Sequence, residues 1–275
     1  MIESSSWESR ISPERRVCVI VPCYNEARRI DTEHFCHWIA ASRDTHIVFV
    51  DDGSRDNTLQ VLGSLRDRYR DRISVLPCRP NRGKAEAVRA GILYALDRFQ
   101  PAVVGYWDAD LATPLEAIDR FLGVLASRPD IEMIFGSRVK LLGRYVERRP
   151  IRHYLGRVFA TAVSTVLHLA IYDTQCGAKL FRVSRPTREI FSKPFLSKWV
   201  FDVEIIARYL NIYAEDRKQL ERMIYEYPLE KWVDIAGSKV RPADFFAAFW
   251  DVFRIWRHYL SSAKSGFSPA KNPLD

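Results

Sequence analysis

The sequence has no apolar run long enough to cross a lipid bilayer. Its longest nearly apolar stretch, residues 159–172, contains Ser164 and His168 and falls short of the roughly 20 residues that a membrane-spanning helix requires. Residues 1–16 mix acidic and basic side chains around no apolar core, so we expect a polar leader rather than a signal peptide. A soluble or peripheral membrane protein without a transmembrane helix is therefore predicted.

The signatures of several common enzyme classes are also missing. The five cysteines form neither a CxxC pair nor a spaced set of zinc ligands, which favours reduced thiols in a cytosolic protein. No GxGxxG motif occurs, and this argues against nicotinamide and flavin enzymes. The GxSxG, HExxH and Walker signatures are absent as well. The six histidines follow no metal-ligand pattern, and His168 is expected to be a hydrogen-bonded core residue.

Positive charge is in excess, because 42 lysines and arginines face 34 aspartates and glutamates, a formal balance of +8. Such an excess favours an anionic partner: a nucleic acid, an anionic membrane or a phosphorylated substrate. Residues 138–157 hold seven of the cations against the single Glu147, which gives +6 (7 − 1). The interleaved Leu141, Leu142 and Tyr145 favour a loop that meets an anionic lipid surface, and a solvated loop is the alternative.

Strand and helix patterns alternate along the first half of the chain. Short β-branched runs predict buried strands at residues 17–22, 46–50, 73–76, 103–107 and 133–135. Helical spacing predicts helices at residues 27–43, 58–69, 84–99, 152–170 and 242–260. This alternation predicts right-handed βαβ units and an α/β fold with a mostly parallel central sheet.

The last predicted helix, residues 242–260, is amphipathic and has a broad aromatic face. That face suits a membrane interface, the protein core or a second subunit, so a homo-oligomer stays open. Residues 263–275 are rich in Ser, Lys and Pro and are predicted to form a flexible tail. We therefore divide the chain into a leader (1–16), a main domain (17–240), the aromatic helix (241–262) and the tail.

Ligands of such sheets bind beyond the carboxyl ends of the strands. Asp108, Ala109 and Asp110 directly follow the fourth predicted strand. Two carboxylates two residues apart can share a hard divalent cation, while phosphate oxygens fill its other positions. A solvated acidic turn is the alternative, but the position at a parallel strand end favours a site for a metal and a diphosphate.

Further polar clusters follow the first two strands and precede a helix. Tyr24 can cover a base and Glu26 can accept hydrogen bonds from it or from a ribose, although Asn25 and Glu26 would also suit a helix N-terminus. Asp52 offers a carboxylate to a uracil or a ribose, or it closes an Asx turn. Lys84 lies at a predicted helix N-terminus, where it can bind an anion.

Together these segments resemble the family 2 inverting glycosyltransferases. The matching motifs, in order, are residues 22–26 (PCYNE), 50–54 (VDDGS), 81–84 (NRGK), 108–110 (DAD) and 136–138 (GSR). The second half resembles the dolichyl-phosphate or polyprenyl-phosphate glucosyltransferase branch at residues 173–181 (DTQCGAKLF), 199–204 (WVFDVE) and 237–239 (GSK). The resemblance implies a Rossmann-like GT-A fold, a UDP-sugar donor, a divalent cation (Mg²⁺ or Mn²⁺) and a polyprenyl-phosphate acceptor.

Matched position by position, the resemblance assigns roles to individual residues. The donor would be held by Pro22, Tyr24, Glu26, Asp52, Lys84, Asp108, Ala109, Asp110 and Lys239, of which Asp108 and Asp110 would also bind the metal. The acceptor phosphate would contact Arg138, Arg152 and Gln175. The catalytic group would be Asp110, Arg138, Arg152 and Asp202. Ala112 stands where mannosyl-transferring relatives usually carry a glutamine, which favours the glucosyl branch.

The implied reaction is transfer of glucose, or a related hexose, from UDP to a polyprenyl phosphate with inversion. A phosphate oxygen is already anionic at neutral pH, so no strong general base is needed, and Asp173 and Asp202 would be structural or would contact the sugar. With a hydroxyl acceptor, one of these two would be the base. A nucleic-acid-binding protein would leave the paired aspartates unexplained, so no nucleic acid is expected as partner. We expect a peripheral enzyme on the cytoplasmic face of a membrane.

Overall fold

The computed structural model describes residues 17–42, 44–147, 150–214, 216–235 and 242–261, without the side chains of residues 150–153 and 242–246. Within these ranges the chain forms nine strands and nine α-helices, followed by a π-helical turn (Trp256–Leu260). Strands and helices alternate in the first half, as predicted.

The first half contains β1 (Val17–Cys23), α1 (Thr32–Ala41), β2 (Thr45–Asp52), α2 (Thr58–Arg68), β3 (Ile73–Cys78), α3 (Lys84–Arg98), β4 (Val103–Trp107) and α4 (Ala117–Ser127). The second half contains β5 (Met133–Ser137), β6 (Tyr145–Glu147), α5 (Pro150–Leu167), β7 (Ala178–Arg182), α6 (Arg185–Ser192), α7 (Phe201–Ile212), α8 (Arg217–Met223), β8 (Ile224–Pro228), β9 (Lys231–Val233) and α9 (Pro242–Ile255). The five predicted strands are confirmed as β1 to β5.

Seven strands form one sheet in the order β3-β2-β1-β4-β7-β5-β8. β7 runs antiparallel between β4 and β5, and the other neighbouring strands are parallel. β6 and β9 pair separately as a short parallel ribbon. Because β1, β2 and β4 are parallel, their carboxyl ends and the loops that follow them lie at one edge of the sheet.

Helices cover both faces of this sheet, which explains why its strands are apolar runs rather than alternating patterns. On one face α3, α5, α6, α7 and α9 enclose a buried cluster that includes Tyr106, Phe181 and Phe201. On the other face α1, α2 and α4 pack on Phe49 and Trp107. The sheet is therefore buried between two layers of helices.

The predicted start of the first helix is wrong. Instead of beginning at residue 27, α1 begins at Thr32, and the side chain of Asp31 caps it by accepting from the His34 N–H (2.9 Å). Residues 26–30 form a separate turn, because Asn25 adopts a left-handed backbone (φ 52°) that interrupts the helical pattern. The chain between β1 and α1 is thereby free to form part of the loop edge.

The expected core position of His168 is also wrong. α5 ends at Leu167, and His168 follows it with φ 50° and an exposed side chain. A left-handed residue commonly closes a helix C-terminus. The apolar neighbours Leu167 and Leu169 point into the core instead. The apolar residues therefore continue along the sequence beyond Leu167, but the helix does not.

α9 corresponds to the predicted aromatic helix, and one of its faces packs on the rest of the protein. Ala248, Val252 and Ile255 are buried against α5 and α7, while Trp250 and Phe253 are exposed. Of the alternatives for this helix, packing on the core therefore accounts for one face. In the part of the chain that the structure describes, no helix combines the length and apolar character needed to span a membrane.

Acid is expected to destabilise the fold through His46. This residue of β2 contacts the ring of Phe99 and the hydroxyl of Ser74, and burial lowers its pKa from 6.5 to about 4. The unfolded chain therefore binds more protons between these two values, so stability falls as pH falls through that window. From pH 7 to pH 5 the loss is about 2 kcal/mol.

Urea unfolding at pH 7 and at pH 5 measures this effect. His46→Gln removes the titrating ring, so its pH-dependent loss of stability should be about 2 kcal/mol smaller than that of the unmodified protein. Equal losses in the two proteins would show that His46 does not titrate between folded and unfolded states in this range.

Candidate active site

Asp108 and Asp110 lie on the turn that follows β4, at the loop edge of the sheet. The Asp108 N–H donates to the Gly177 carbonyl (2.9 Å), and Asp110 Oδ1 accepts from the Ala112 N–H (3.1 Å). Leu111 has φ 54°, so the chain reverses directly after Asp110. The structure thus brings both carboxylates to the predicted edge.

Two cations from earlier in the chain, one on the loop after β1 and one at the start of α3, lie close to this pair. Lys84 Nζ lies 2.5 Å from Asp108 Oδ1, and Arg29 Nη2 lies 3.8 Å from Asp110 Oδ2. Burial, and then the charge of Asp108, raises the pKa of Asp110. Burial alone would lower the pKa of Lys84, but Asp108 and Asp202 outweigh it and raise that pKa. The two neighbouring carboxylates therefore favour a bound cation.

The chain offers this pair of carboxylates rather than a closed metal cage. Among the residues that the structure describes, no group of three or more His, Cys, Asp and Glu side chains could hold a metal ion. Hard divalent cations prefer oxygen ligands and usually keep coordination positions for water or substrate phosphate. Asp108 and Asp110 fit the protein share of such a site.

The carboxylate of Asp108 rests on the backbone of Gly177. A Cβ added to Gly177 would lie 2.5 Å from Asp108 Oδ1 and closer still to Oδ2 and Cγ. Cys176 beside it is buried, and burial raises the pKa of its thiol to about 11, so this thiol stays neutral. Residues 173–177, which we call the bridging loop, therefore form one wall of the edge.

The loop after β1 is tied to the loop after β2. The Asn25 N–H donates to Ser54 Oγ (3.0 Å), and the Asn25 side chain accepts from the Arg55 N–H (2.8 Å). Glu26 is buried, its N–H donates to Thr58 Oγ1 (2.8 Å), and its carboxylate is 3.3 Å from Arg29 Nη1. Pro22, near the end of β1, and Tyr24, at the start of the loop, are half-buried. The predicted nucleoside residues are thus gathered at one place.

Asp52 holds the loop that leads into α3. Its two carboxylate oxygens accept from the backbone N–H groups of Arg82 (2.9 Å) and Gly83 (2.8 Å), and its carbonyl accepts from the Asn81 side chain (2.8 Å). These bonds fix the start of α3 and thereby the position of Lys84. The predicted contact between Asp52 and a donor nucleoside stays a prediction.

Arg138 follows β5 and forms a two-pronged ion pair with Asp173, the first residue of the bridging loop. Nε lies 2.5 Å from Oδ2 and Nη2 lies 2.7 Å from Oδ1. The guanidinium also lies 5.3 Å from the Trp232 ring centre. Burial alone would lower the pKa of Arg138, but Asp173 raises it, so Arg138 is a fixed cation. Its predicted contact with an acceptor phosphate stays a prediction.

Several cations of the basic segment 138–157 contact other residues of the protein. Arg144 Nη1 lies 3.0 Å from Glu230 Oε1. Arg157 donates to the Tyr172 carbonyl (2.9 Å), and its guanidinium lies 3.7 Å from the Tyr172 ring centre. Lys140 is exposed. Outside the described side chains are those of Arg148, Arg149 and Arg152. Part of the +6 charge therefore stabilises the protein itself.

Asp202 lies in the first turn of α7 and is buried below the bridging loop. Its Oδ1 is 2.6 Å from Lys179 Nζ and accepts from the Tyr106 hydroxyl. Burial, and then the charge of Asp202, raises the pKa of Tyr106 well above its usual range. The Gln175 N–H donates to Asp173 Oδ1 (3.1 Å) within the bridging loop. Gln175 is thus part of the bridging loop, and Asp202 is linked to that loop through Lys179.

The remaining predicted site residues are Ala109, Arg152 and Lys239, and the structure describes them to different extents. Ala109 is buried between the two aspartates of the edge. Arg152 lies in the first turn of α5, but its side chain is not described. Lys239 lies outside the described residues.

The residues that sequence reasoning missed are Arg29, Gly177 and Lys179. Arg29 follows Glu26 by three residues, a spacing at which side chains meet in a helical turn. Lys179 is a lysine within an apolar run, and a buried lysine requires a partner. Gly177 carried no signal, because one sequence does not distinguish a glycine needed for close contact from a turn glycine.

Solved structures of a glucosyltransferase share this fold. Glucosyl-3-phosphoglycerate synthase from Mycobacterium tuberculosis, in complex with phosphoglyceric acid, matches with a TM-score of 0.61 at 18% identity, over 89% of this chain and 80% of that one. The same enzyme with Mn²⁺, UDP-glucose and phosphoglyceric acid gives a TM-score of 0.58 at 17% identity, over 88% and 80%. The predicted GT-A fold with its mostly parallel sheet is confirmed.

The family follows from the sequence comparisons. The model of Glycosyl transferase family 2 matches residues 18–184. Dolichyl-phosphate beta-glucosyltransferase from Drosophila melanogaster is 33% identical over 92% of this chain and 78% of its own length. The protein of that name from Homo sapiens is 32% identical, over 86% and 72%. This chain therefore belongs to glycosyl transferase family 2, and the prediction of a glycosyltransferase is confirmed.

Proposed function

We propose that this enzyme transfers glucose from UDP-glucose to dolichyl phosphate, or to a related polyprenyl phosphate, with inversion. The observation that carries the proposal is the bridging loop, which joins an acidic pair suited to a donor diphosphate to a fixed arginine suited to an acceptor phosphate. The names of the relatives support the lipid phosphate and the glucosyl group. The Mn²⁺ and UDP-glucose complex of the similar structure supports the donor.

At the donor end, Asp108 and Asp110 would hold Mg²⁺ or Mn²⁺. The bound cation would supply charge that stabilises the departing diphosphate. Lys84 and Arg29 already lie within ion-pair distance of these carboxylates, so they add positive charge at the same place. Tyr24 and Glu26, on the loop after β1, would contact the nucleoside. The chain would thus bind and neutralise the leaving group.

At the acceptor end, the nucleophile is a phosphate oxygen that already carries negative charge. The task of the protein is to hold this anion near a negatively charged donor. Arg138 suits that task, because Asp173 fixes its Nε and Nη2 and a guanidinium stays charged at any working pH. Arg152, at the start of α5, would add a second cation.

A hydroxyl acceptor would need a general base, and the two candidates for it are engaged elsewhere. Asp173 neutralises Arg138, and Asp202 neutralises the buried Lys179. Asp202→Asn is therefore expected to lower kcat by less than about tenfold, whereas loss of a base costs about 100- to 10,000-fold. Single-turnover transfer to dolichyl phosphate measures this, and a loss above 100-fold would assign the base role to Asp202.

Acceptor competition tests the proposed substrate. The protein, UDP-glucose labelled in the sugar and Mn²⁺ would be incubated with dolichyl phosphate, with dolichol or with 3-phosphoglycerate. Label is expected in dolichyl phosphate only. Label in dolichol would show a hydroxyl acceptor, and label in the glycerate would show a soluble phosphate acceptor. Either result would contradict the proposal.

The lipid acceptor also requires contact with a membrane surface. Exposed apolar side chains lie on the loop after β5, at the start of β6 and on α5: Leu141, Leu142, Tyr145, Tyr154, Leu155 and Val158. Leu142, whose side chain is fully exposed, is expected to enter the headgroup region. Leu142→Asn should weaken binding to anionic phosphatidylserine vesicles about threefold to tenfold, since it removes most of one apolar side chain.

Vesicle sedimentation measures this binding, and Leu142→Ile is the matched control because it keeps the apolar area at the same position. The control should bind as the unmodified protein does. Equal binding of the asparagine and isoleucine variants would place the membrane contact elsewhere.

A further inference from the structure

Lys179 is a charged side chain in the centre of the fold. It lies on β7 and has no exposed surface. Its Nζ is 2.6 Å from Asp202 Oδ1, 3.0 Å from the Thr174 carbonyl and 2.6 Å from the Cys176 carbonyl. An ammonium group has three protons to donate, so all three are used. A buried charge persists only where such partners compensate its lost hydration.

Two of these three partners belong to the bridging loop. That loop holds Arg138 at one end, through Asp173, and carries the Asp108 carboxylate at the other end, against Gly177. The residues that carry these two carbonyls are buried, where a carbonyl without a donor is costly, so the bonds from Lys179 stabilise the loop. The ammonium of Lys179 therefore fixes the segment that separates the two ends of the site.

We propose that Lys179 is a positioning residue. By donating to two carbonyls of the bridging loop, it fixes the position of Asp108 relative to Arg138. It touches neither substrate. Without its ammonium the two carbonyls lose their donor, the loop relaxes, and the Gly177 surface that supports Asp108 moves. This inference rests on the proposed function, because it assigns the donor diphosphate and its cation to Asp108.

A purely structural role is the rival explanation, in which Lys179 only neutralises Asp202. The two explanations differ in a double variant. Lys179→Met with Asp202→Asn removes both charges together, so no buried charge is left unpaired. A neutralising role predicts recovery of stability and of ligand binding together. A positioning role predicts recovery of stability alone, because methionine donates no hydrogen bond to the loop carbonyls.

The experiment compares the unmodified protein with K179M, D202N and K179M/D202N. Thermal unfolding and calorimetric binding of UDP in the presence of Mn²⁺ are measured for each. K179M and D202N should each unfold at a lower temperature than the unmodified protein, because each leaves one buried charge without its ion-pair partner, and the double variant should regain most of that loss. Its dissociation constant for UDP with Mn²⁺ should stay at least tenfold above that of the unmodified protein. D202N, which keeps the ammonium on the carbonyls, should stay within threefold.

Unmodified affinity in the stable double variant would overturn the inference, and so would a tenfold loss in D202N. If K179M/D202N does not show the native circular dichroism spectrum, K179L/D202L replaces it, because apolar side chains fill the same space. Tyr106→Phe removes the other donor to Asp202 and leaves the loop untouched, so it should bind normally. Failure of the unmodified protein to bind UDP would instead contradict the proposed function.

Discussion

Asp110→Asn is expected to lower kcat/KM for sugar transfer by about 1,000-fold, which corresponds to about 4 kcal/mol of transition-state stabilisation. Asp110 is half of the acidic pair, and an amide is a poorer ligand for a hard cation than a carboxylate. Thermal stability should stay equal or rise. The reason is that burial, and then the charge of Asp108, raises the pKa of Asp110, so its negative charge is unfavourable in the free protein.

A loss of activity without a loss of stability would show that Asp110→Asn affects the reaction and not the folding of the protein. Asp97→Asn, at an exposed position of α3, is the matched control and should leave both quantities unchanged. Calorimetry with Mn²⁺ and UDP gives the independent readout, and the variant should bind the nucleotide without the usual gain from metal. An active Asp110→Asn enzyme would show that the acidic pair does not hold the donor.

Gly177→Ala is expected to lower kcat/KM about 100-fold or more while the protein stays folded. The added methyl group would overlap the Asp108 carboxylate, so that side chain must leave the place where it meets Lys84. Displacement of a catalytic group by about 1 Å can cost about 100-fold in rate. Affinity for UDP with Mn²⁺ should fall in parallel, because the displaced group is the proposed metal ligand.

Gly63→Ala is the control for adding a methyl group to a glycine. Gly63 lies within α2, and an added Cβ would contact nothing within 4 Å. This variant should be as active as the unmodified protein and more stable by about 0.5–1 kcal/mol, because alanine favours the helix. Normal nucleotide affinity in Gly177→Ala would mean that the bridging loop does not position Asp108.

The first half of the fold was predictable because its signals are local. β1 to β4 are continuous apolar runs separated by helical spacing, and each was found within a few residues of its true bounds. β7 was not predicted, since its antiparallel place between β4 and β5 depends on pairing with strands distant in sequence. The short strands β6, β8 and β9 were missed for the same reason.

The site was predictable only as far as strand ends determine it. The location of Asp108, Asp110, Tyr24 and Glu26 at the loop edge was predictable because each lies on a loop that follows a strand, and parallel strands end at one edge. The ion pairs of Arg138 and Lys179 were not, because pairing depends on where Asp173 and Asp202 fall in space. The charge count treated residues 138–157 as free cations, whereas Arg138, Arg144 and Arg157 make contacts within the protein.

Transfer of labelled sugar to extractable lipid tests the central claim most directly. The protein would be incubated with a panel of labelled UDP- and GDP-sugars, Mg²⁺ or Mn²⁺, and dolichyl phosphate, and the lipid phase would be counted. We predict label in the lipid phase from UDP-glucose, dependent on the divalent cation and lost in Asp110→Asn. Absence of labelled lipid from every donor, with either cation, would contradict the proposed function.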